Sequence, residues 1–153
     1  MLSRFEKFTY DINEIDLYWH RIAAAEMKVY GLKAGTALYF TRLSAHPEGL
    51  TAAELAASCG RDKADVSREI AALEQAGFVS RGPDGRRGYR ARIVLTERGE
   101  ALTREVVRKA SAAVEQVGSC LTEEERRVFY DALDRITENI RALSESGLPD
   151  ERS

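Results

Sequence analysis

The segment 50–96, LTAAELAASCGRDKADVSREIAALEQAGFVSRGPDGRRGYRARIVLT, leaves this chain the fewest ways to fold. Its hydrophobic period drops from about 3.6 to 2 near Gly77, so two short helices must give way to a hairpin. Thr51 followed by Glu54 is a capping box: the hydroxyl accepts from the third helical amide, and the carboxylate reaches back to the cap amide. Leu55 anchors this first helix, 52–58, and Gly60 closes it. Asp62 caps a second helix, 63–76, at the positive end of its dipole, and Gly77 closes that one. Val66, Ile70 and Leu73 are spaced i, i+4, i+7 and share one face. Ala64, Arg68, Ala71 and Gln75 fall opposite, with Ser67 on the flank. Residues 78–81 then read as a strand, and Gly82-Pro83-Asp84-Gly85 as a turn cluster. In the return strand Tyr89, Ala91, Ile93 and Leu95 alternate with Arg90, Arg92 and Val94, and Arg86 and Arg87 hold the tip. Leu50 is expected to add a very short strand against this hairpin.

Two helices, a tight turn and a basic hairpin make a winged helix-turn-helix. The outer face of the second helix is polar, small and carries one guanidinium, which suits a DNA major groove with donors near the helix N-terminus. A basic hairpin beside it reaches phosphates or a minor groove. The candidate contact residues are Lys63, Ala64, Ser67, Arg68 and Ala71 on the helix and Arg81, Arg86, Arg87 and Arg90 on the wing. The same helix pair also serves protein-interaction modules that read no DNA, and exposed arginines can be merely solvated; the basic hairpin at this position favours DNA. Net charge, −2, argues against a nucleic-acid partner only until it is divided. Residues 61–98 carry 9 Lys/Arg against 6 Asp/Glu, while 99–153 carry 8 against 12. The field near the phosphates matters more than the total.

The flanks read as long amphipathic helices. In 4–30, Phe5, Phe8, Ile12, Ile15, Trp19 and Ile22 step at three or four, and Gly31 ends the run. Residues 33–44 form the next helix. Thr96 caps a helix over 97–119, lined by Leu102, Val106, Ala110, Ala113 and Val117. Thr122 with Glu125 opens a last helix to about 143, with Val128, Phe129, Ile136 and Ile140 in its stripe. These stripes exceed what a small head needs, so Phe5, Phe8, Ile12, Phe129, Ile136 and Ile140 are candidates for dimerisation. Trp19, His20 and Tyr39 are candidates for lining a ligand pocket, against the alternative that an aromatic stripe is simply core. With only two histidines and no ligand-spaced cluster, neither a metal site nor another cofactor is expected. No phosphate loop or nucleophile-base arrangement suggests an enzyme. Cys59 and Cys120 make no disulfide framework; Cys59 reads as a small apolar residue, and cysteine-based redox sensing is a lesser alternative. Without a signal peptide or a membrane-length apolar run, a cytoplasmic protein with no membrane partner is expected.

Taken in order, the chain resembles the MarR family of bacterial transcription regulators. The resemblance rests on Leu50-Thr51-Ala52-Ala53-Glu54-Leu55-Ala56, on Val66-Ser67-Arg68, on residues 73–81 (LEQAGFVSR), and on Leu95-Thr96-Glu97-Arg98-Gly99. It implies a mainly α single domain over 1–153 with a small β-hairpin wing. The winged helix-turn-helix spans 33–96, and dimerisation helices at 4–30 and 97–145 interlock in a homodimer. It also implies a double-stranded, pseudo-palindromic operator and repression relieved by a small, commonly aromatic, effector. One departure stands out. Many members carry Asp-x-Arg in the wing, nine to seven residues before the Thr that caps the following helix; here those positions are Arg87, Gly88 and Tyr89. Arg86, Arg87 and Arg90 are the alternatives for the arginine that enters the groove.

Overall fold

The computed structural model describes residues 3–82 and 91–147. Among them run six α-helices: α1 (Arg4–Lys28), α2 (Thr36–Ser44), α3 (Ala52–Cys59), α4 (Lys63–Gln75), α5 (Glu97–Val117) and α6 (Glu123–Ser146). Two strands, β1 (Val79–Arg81) and β2 (Ile93–Leu95), pair antiparallel with Val79 opposite Leu95 and Arg81 opposite Ile93. Leu50 bridges Ile93 from the other side, donating to Ile93 O at 3.1 Å and accepting from Ile93 N at 2.8 Å. The expected third strand is therefore one residue long. The chain falls into two compact units, Met1–Lys109 and Ala110–Ser153.

Local chemistry sets most boundaries in the first unit. The Thr51/Glu54 capping box forms in full, and the bonds to Thr51 hold the Glu54 carboxyl below its ordinary range. α4 ends in a Schellman motif: Phe78 N donates to Leu73 O and Gly77 N to Glu74 O, both at 3.0 Å. Gly77 supplies the positive φ, +76°, that this reversal requires. Two helices begin or end away from the positions expected. α2 starts at Thr36, not residue 33, because residues 33–37 are wound more tightly: Thr36 N and Oγ1 both donate to Lys33 O, and Ala37 N to Ala34 O. α1 stops at Lys28, and Leu32 N turns back to Met27 O at 3.0 Å.

The core of this unit is built by α2, α3, α4 and the strands. Tyr39, Phe40 and Leu43 of α2 meet Leu55 of α3, Val66, Ile70 and Leu73 of α4, and Phe78, Val79 and Ile93 of the wing. The Phe40 and Phe78 rings pack edge to face, with centroids 5.7 Å apart. α1 contributes only Met27. Cys59, expected in the interior, is half-buried at the core's edge. α5 is pressed onto the wing so closely that a Cβ on Gly99 would stand 2.0 Å from Phe78 O. Leu102 and Thr103 follow it into the interior, where Thr103 Oγ1 donates to Gly99 O at 2.7 Å.

In the second unit, α5 ends at Val117, two residues before the position expected, and a 3₁₀ turn, Gly118–Cys120, follows. A capping box of Thr122 and Glu125 opens α6, as the sequence predicts. Arg126 ties the start of α6 back across this turn: its Nη1 pairs with Glu115 and its Nη2 donates to Gly118 O at 3.2 Å. No residue of α6 is buried.

The two glycines around Phe78 differ in kind, and their alanine variants separate the effects. Gly99→Ala drives a Cβ into backbone that cannot move, an overpacking cost of about 1–3 kcal/mol or more. Gly77→Ala meets no close backbone and bears only the left-handed strain, about 1–2 kcal/mol. Urea unfolding midpoints should therefore rank wild type above Gly77→Ala above Gly99→Ala. A Gly99→Ala protein as stable as Gly77→Ala would contradict this packing.

Candidate nucleic-acid interface

The inner face of α4 is fixed by burial, and that fixes what its outer face presents. Val66, Ile70 and Leu73 are at most 1% exposed, so Lys63, Ala64, Ser67, Arg68, Ala71 and Gln75 point to solvent. Asp62 Oδ1 accepts from Ala64 N at 2.8 Å and Asp65 N at 3.2 Å, which anchors the N-terminal turn. Small side chains on this face leave room for base edges to approach. Arg68, 74% exposed, is paired with Asp65 one turn earlier. The pair stands in solvent, where such contacts are weak, so the guanidinium is positioned without being locked. Sequence spacing puts Asp65 and Arg68 within reach of each other, and that spacing is the local signal for the pair.

The base of the wing is tied to α4 and to the loop before α3. Arg81, on β1, is only part-exposed and its Nε lies 3.4 Å from Glu74 Oε2 of α4, so it braces the wing against the helix. Arg92 Nη1 donates to Gly49 O at 2.6 Å and holds the strand to the loop before α3. Arg86, Arg87 and Arg90 lie outside the described residues. Arg98, on the first turn of α5, carries no signal of its role in the sequence. Its Nη1 donates to Ala76 O at 2.7 Å, and its guanidinium carbon stands 4.3 Å from the Phe78 ring centroid. No local spacing signals a contact 22 residues away.

Beside α4 lies a cleft of about 340 Å³. Leu32, Lys33 and Thr36 line one side, and Asp65, Arg68, Glu69 and Ala72 the other. Lys33 Nζ reaches across to Glu69 Oε1 at 3.4 Å. The three residues singled out for a pocket are not brought together. Tyr39 is fully buried in the core, whereas Trp19 and His20 are exposed on α1, and none of them lines this cleft. A completely buried ring has no surface to share with them. Burial pushes the Tyr39 phenol up to about 12. The neighbouring Glu69 carboxylate adds to the rise, without hydrogen-bond geometry between Tyr39 Oη and Glu69 Oε2.

Phe5, Phe8 and Ile12 on α1, and Phe129, Ile136 and Ile140 on α6, are all exposed, Phe5 by 75%. Cys120 is exposed as well. Among the described residues no group of three or more His, Cys, Asp or Glu is placed to hold a metal, and no helix is long and apolar enough to cross a membrane.

A model of the MarR family matches residues 30–88, from the α1–α2 turn through α4 into the wing. The uncharacterized HTH-type transcriptional regulator YybA of Bacillus subtilis (strain 168) is 29% identical over 119 residues, covering 78% of this chain and 79% of YybA. The crystal structure of a MarR transcriptional regulator from Methanosarcina mazei Go1 superposes with a TM-score of 0.81 at 25% identity, over 93% of this chain and 94% of that one. A protein of Listeria monocytogenes assigned to the MarR family and solved in complex with a 26mer DNA shares the fold, with a TM-score of 0.78 at 22% identity over 99% of both chains. The chain thus carries a helix-turn-helix region at 30–88 that matches the MarR family model, within a fold shared with solved MarR regulators.

Proposed function

We propose that the protein acts as a homodimer on a double-stranded, pseudo-palindromic operator, as a repressor released by a small, aromatic effector. The outer face of α4 carries the DNA reading: a capped N-terminus, small residues, and Arg68 standing free of the core. Base edges in a major groove are read by such a helix, and guanine by such an arginine. The DNA complex of the Listeria protein, on the same fold, supports the assignment. Arg86 and Arg87, between β1 and β2 in the sequence, supply phosphate or minor-groove contacts under this reading. Repression follows from occupancy, since a head seated on an operator hides the promoter bases beneath it. The cleft beside α4 supports effector control, because an aromatic acid there would draw Arg68 from Asp65 and Lys33 from Glu69. Such a ligand would compete with DNA for Arg68.

The homodimer rests on the exposed apolar stripes. Monomeric soluble proteins rarely show long contiguous apolar faces. α1 presents Phe5, Phe8, Ile12, Ile15, Trp19 and Ile22, and α6 presents Val128, Phe129, Ile136, Ile140 and Leu143. A second copy of the chain is the occupant proposed for both faces, and twofold symmetry then places half-sites about 10 bp apart.

A salt-titrated binding series tests the DNA reading, on an operator selected from random duplexes and on scrambled DNA. Arg68→Ala should cost about 1–3 kcal/mol on the operator and relax discrimination at one position in each half-site. Arg86→Ala or Arg87→Ala should weaken both DNAs alike and flatten the salt slope by roughly one for each phosphate left without its cation. Asp65→Asn should tighten binding to both, since it releases Arg68 and removes a negative charge facing phosphate. If none of these changes affinity, the head reads no DNA and a protein-interaction role takes over.

The dimer has its own measurement. Light scattering at micromolar concentration should give twice the chain mass for wild type and a single chain mass for Phe8→Glu and Ile136→Glu. Both variants should lose operator affinity while keeping helical circular dichroism. A wild-type monomer under these conditions would remove the dimer from the proposal.

A further inference from the structure

Three consecutive carbonyls at the C-terminal end of α4 are all taken by the start of α5. Ala76 O accepts from Arg98 Nη1 at 2.7 Å, Gly77 O from Thr96 Oγ1 at 2.7 Å, and Phe78 O from Thr96 N at 3.1 Å. Gly99 N closes the set by donating back to Thr96 Oγ1 at 3.1 Å. These carbonyls lie where α4 ends and its dipole is negative, so the Arg98 cation suits the position electrostatically as well as geometrically. The same guanidinium covers the Phe78 ring, which packs in turn on Phe40. Arg98 thus touches the C-cap of α4 and the first core residue beyond it.

Further along, α5 is bound to another element of the same unit. Lys109 Nζ lies 2.5 Å from Glu26 Oε2 of α1, joining residues 83 apart in sequence. That side-chain bond holds the Lys109 ammonium above its ordinary pKa. α5 therefore joins α1, which carries one of the apolar stripes, to α4, which carries the outer reading face. A rod held at two points passes on angle, and the contact that sets the angle at the α4 end is the one farthest from the hinge of the turn. Thr96 binds through backbone and a short hydroxyl next to that turn. Arg98 reaches over it to Ala76, the C-cap of α4.

We infer that Arg98 is a positioning residue for DNA recognition: it sets the angle of α4 against α5 and so the half-site spacing that the dimer accepts. The inference rests on the reading that α4 binds DNA in a homodimer. It assigns Arg98 no contact with DNA. Its loss should therefore leave the bases preferred within a half-site unchanged and blur the preference for the distance between half-sites. A guanidinium that merely stabilised the fold would lower affinity for every spacing by one factor.

The experiment measures Kd for the operator selected by the wild type and for operators whose spacer is one base pair longer or shorter. The quantity compared is the ratio between spacings. Arg98→Met keeps an apolar cover on Phe78 and removes the cation and the donor. Its ratio should fall by about three- to thirtyfold, the range seen for residues that carry coupling between sites. Arg98→Lys keeps a cation and a donor but not the planar stack, and should give an intermediate ratio. Thermal melts of both variants check folding; if Arg98→Met does not fold, Arg98→Lys carries the comparison alone. An unchanged ratio in the folded variants overturns the inference while leaving DNA reading intact. A wild type that prefers no DNA sequence removes the reading and the inference together.

Discussion

The burial of Val66, Ile70 and Leu73 against the underside of the head governs the rest of the molecule. Each lies at helical spacing, each is almost wholly removed from water, and together they settle the rotation of α4 about its own axis. Burying an aliphatic side chain is worth about 1.5–3 kcal/mol, so a rotation that exposed all three would cost more than any polar contact on the other face could return. The outer face is consequently presented, not chosen contact by contact. Small residues there add nothing to stability, and their value lies in what they leave open. The platform beneath is equally specific: Tyr39 and Phe40 of α2 and Leu55 of α3 meet this underside, with Phe78 and Ile93 closing it from the wing.

Rotation about the axis is only one degree of freedom. Tilt and register along the axis need contacts at the helix ends, and these are polar. Asp62 holds the N-terminal turn through two amides, and Arg98 and Thr96 hold the carbonyls that follow the C-terminal turn. The division of labour is physical. Apolar burial is strong and non-directional, so it fixes a face but tolerates sliding, whereas hydrogen bonds contribute less net energy but are steep in distance and angle. Glu74 joins the second group through Arg81 and ties the wing to the same helix end. Wing and helix thus share supports, and a change at their junction moves both.

The helices of the head were legible because their signals are local. A hydroxyl or carboxylate at the cap, a glycine at the end and a three-to-four stripe between all lie within one or two turns. α3 and α4 accordingly fall within a residue of expectation, and the register switch at Phe78 appears where the period changes. The start of α2 was not legible, since tight winding at 33–36 depends on Thr36 donating twice to one carbonyl and not on any spacing. The grouping of Trp19, His20 and Tyr39 as pocket residues met a related limit. Aromatic residues on two helices say nothing about how deep each sits, and Tyr39 turns inward completely while Trp19 does not. Arg98 was hidden for the opposite reason: its partners, Ala76 and Phe78, lie far back along the chain, and only the fold brings them near.

Charge distribution extends the same logic beyond the head. The protein is acidic overall, yet its excess of positive charge is confined to 61–98 and its main excess of negative charge to the residues beyond. Interactions between exposed charges in physiological salt fall off over about 8 Å, so groups at the outer face of α4 are governed by neighbours such as Asp65, Lys63 and Arg68 more than by distant acids. Within that radius the acid at position 65 matters most. It holds Arg68 in the absence of DNA and opposes phosphate when DNA arrives. A nonspecific duplex offers phosphates but no matching base edge, so releasing Arg68 from Asp65 returns little there. On a matching base the guanidinium exchanges one acceptor for two, and the exchange becomes favourable. An exposed, weak ion pair on the reading helix therefore lowers affinity without sharpening discrimination, which rests on the base contact itself.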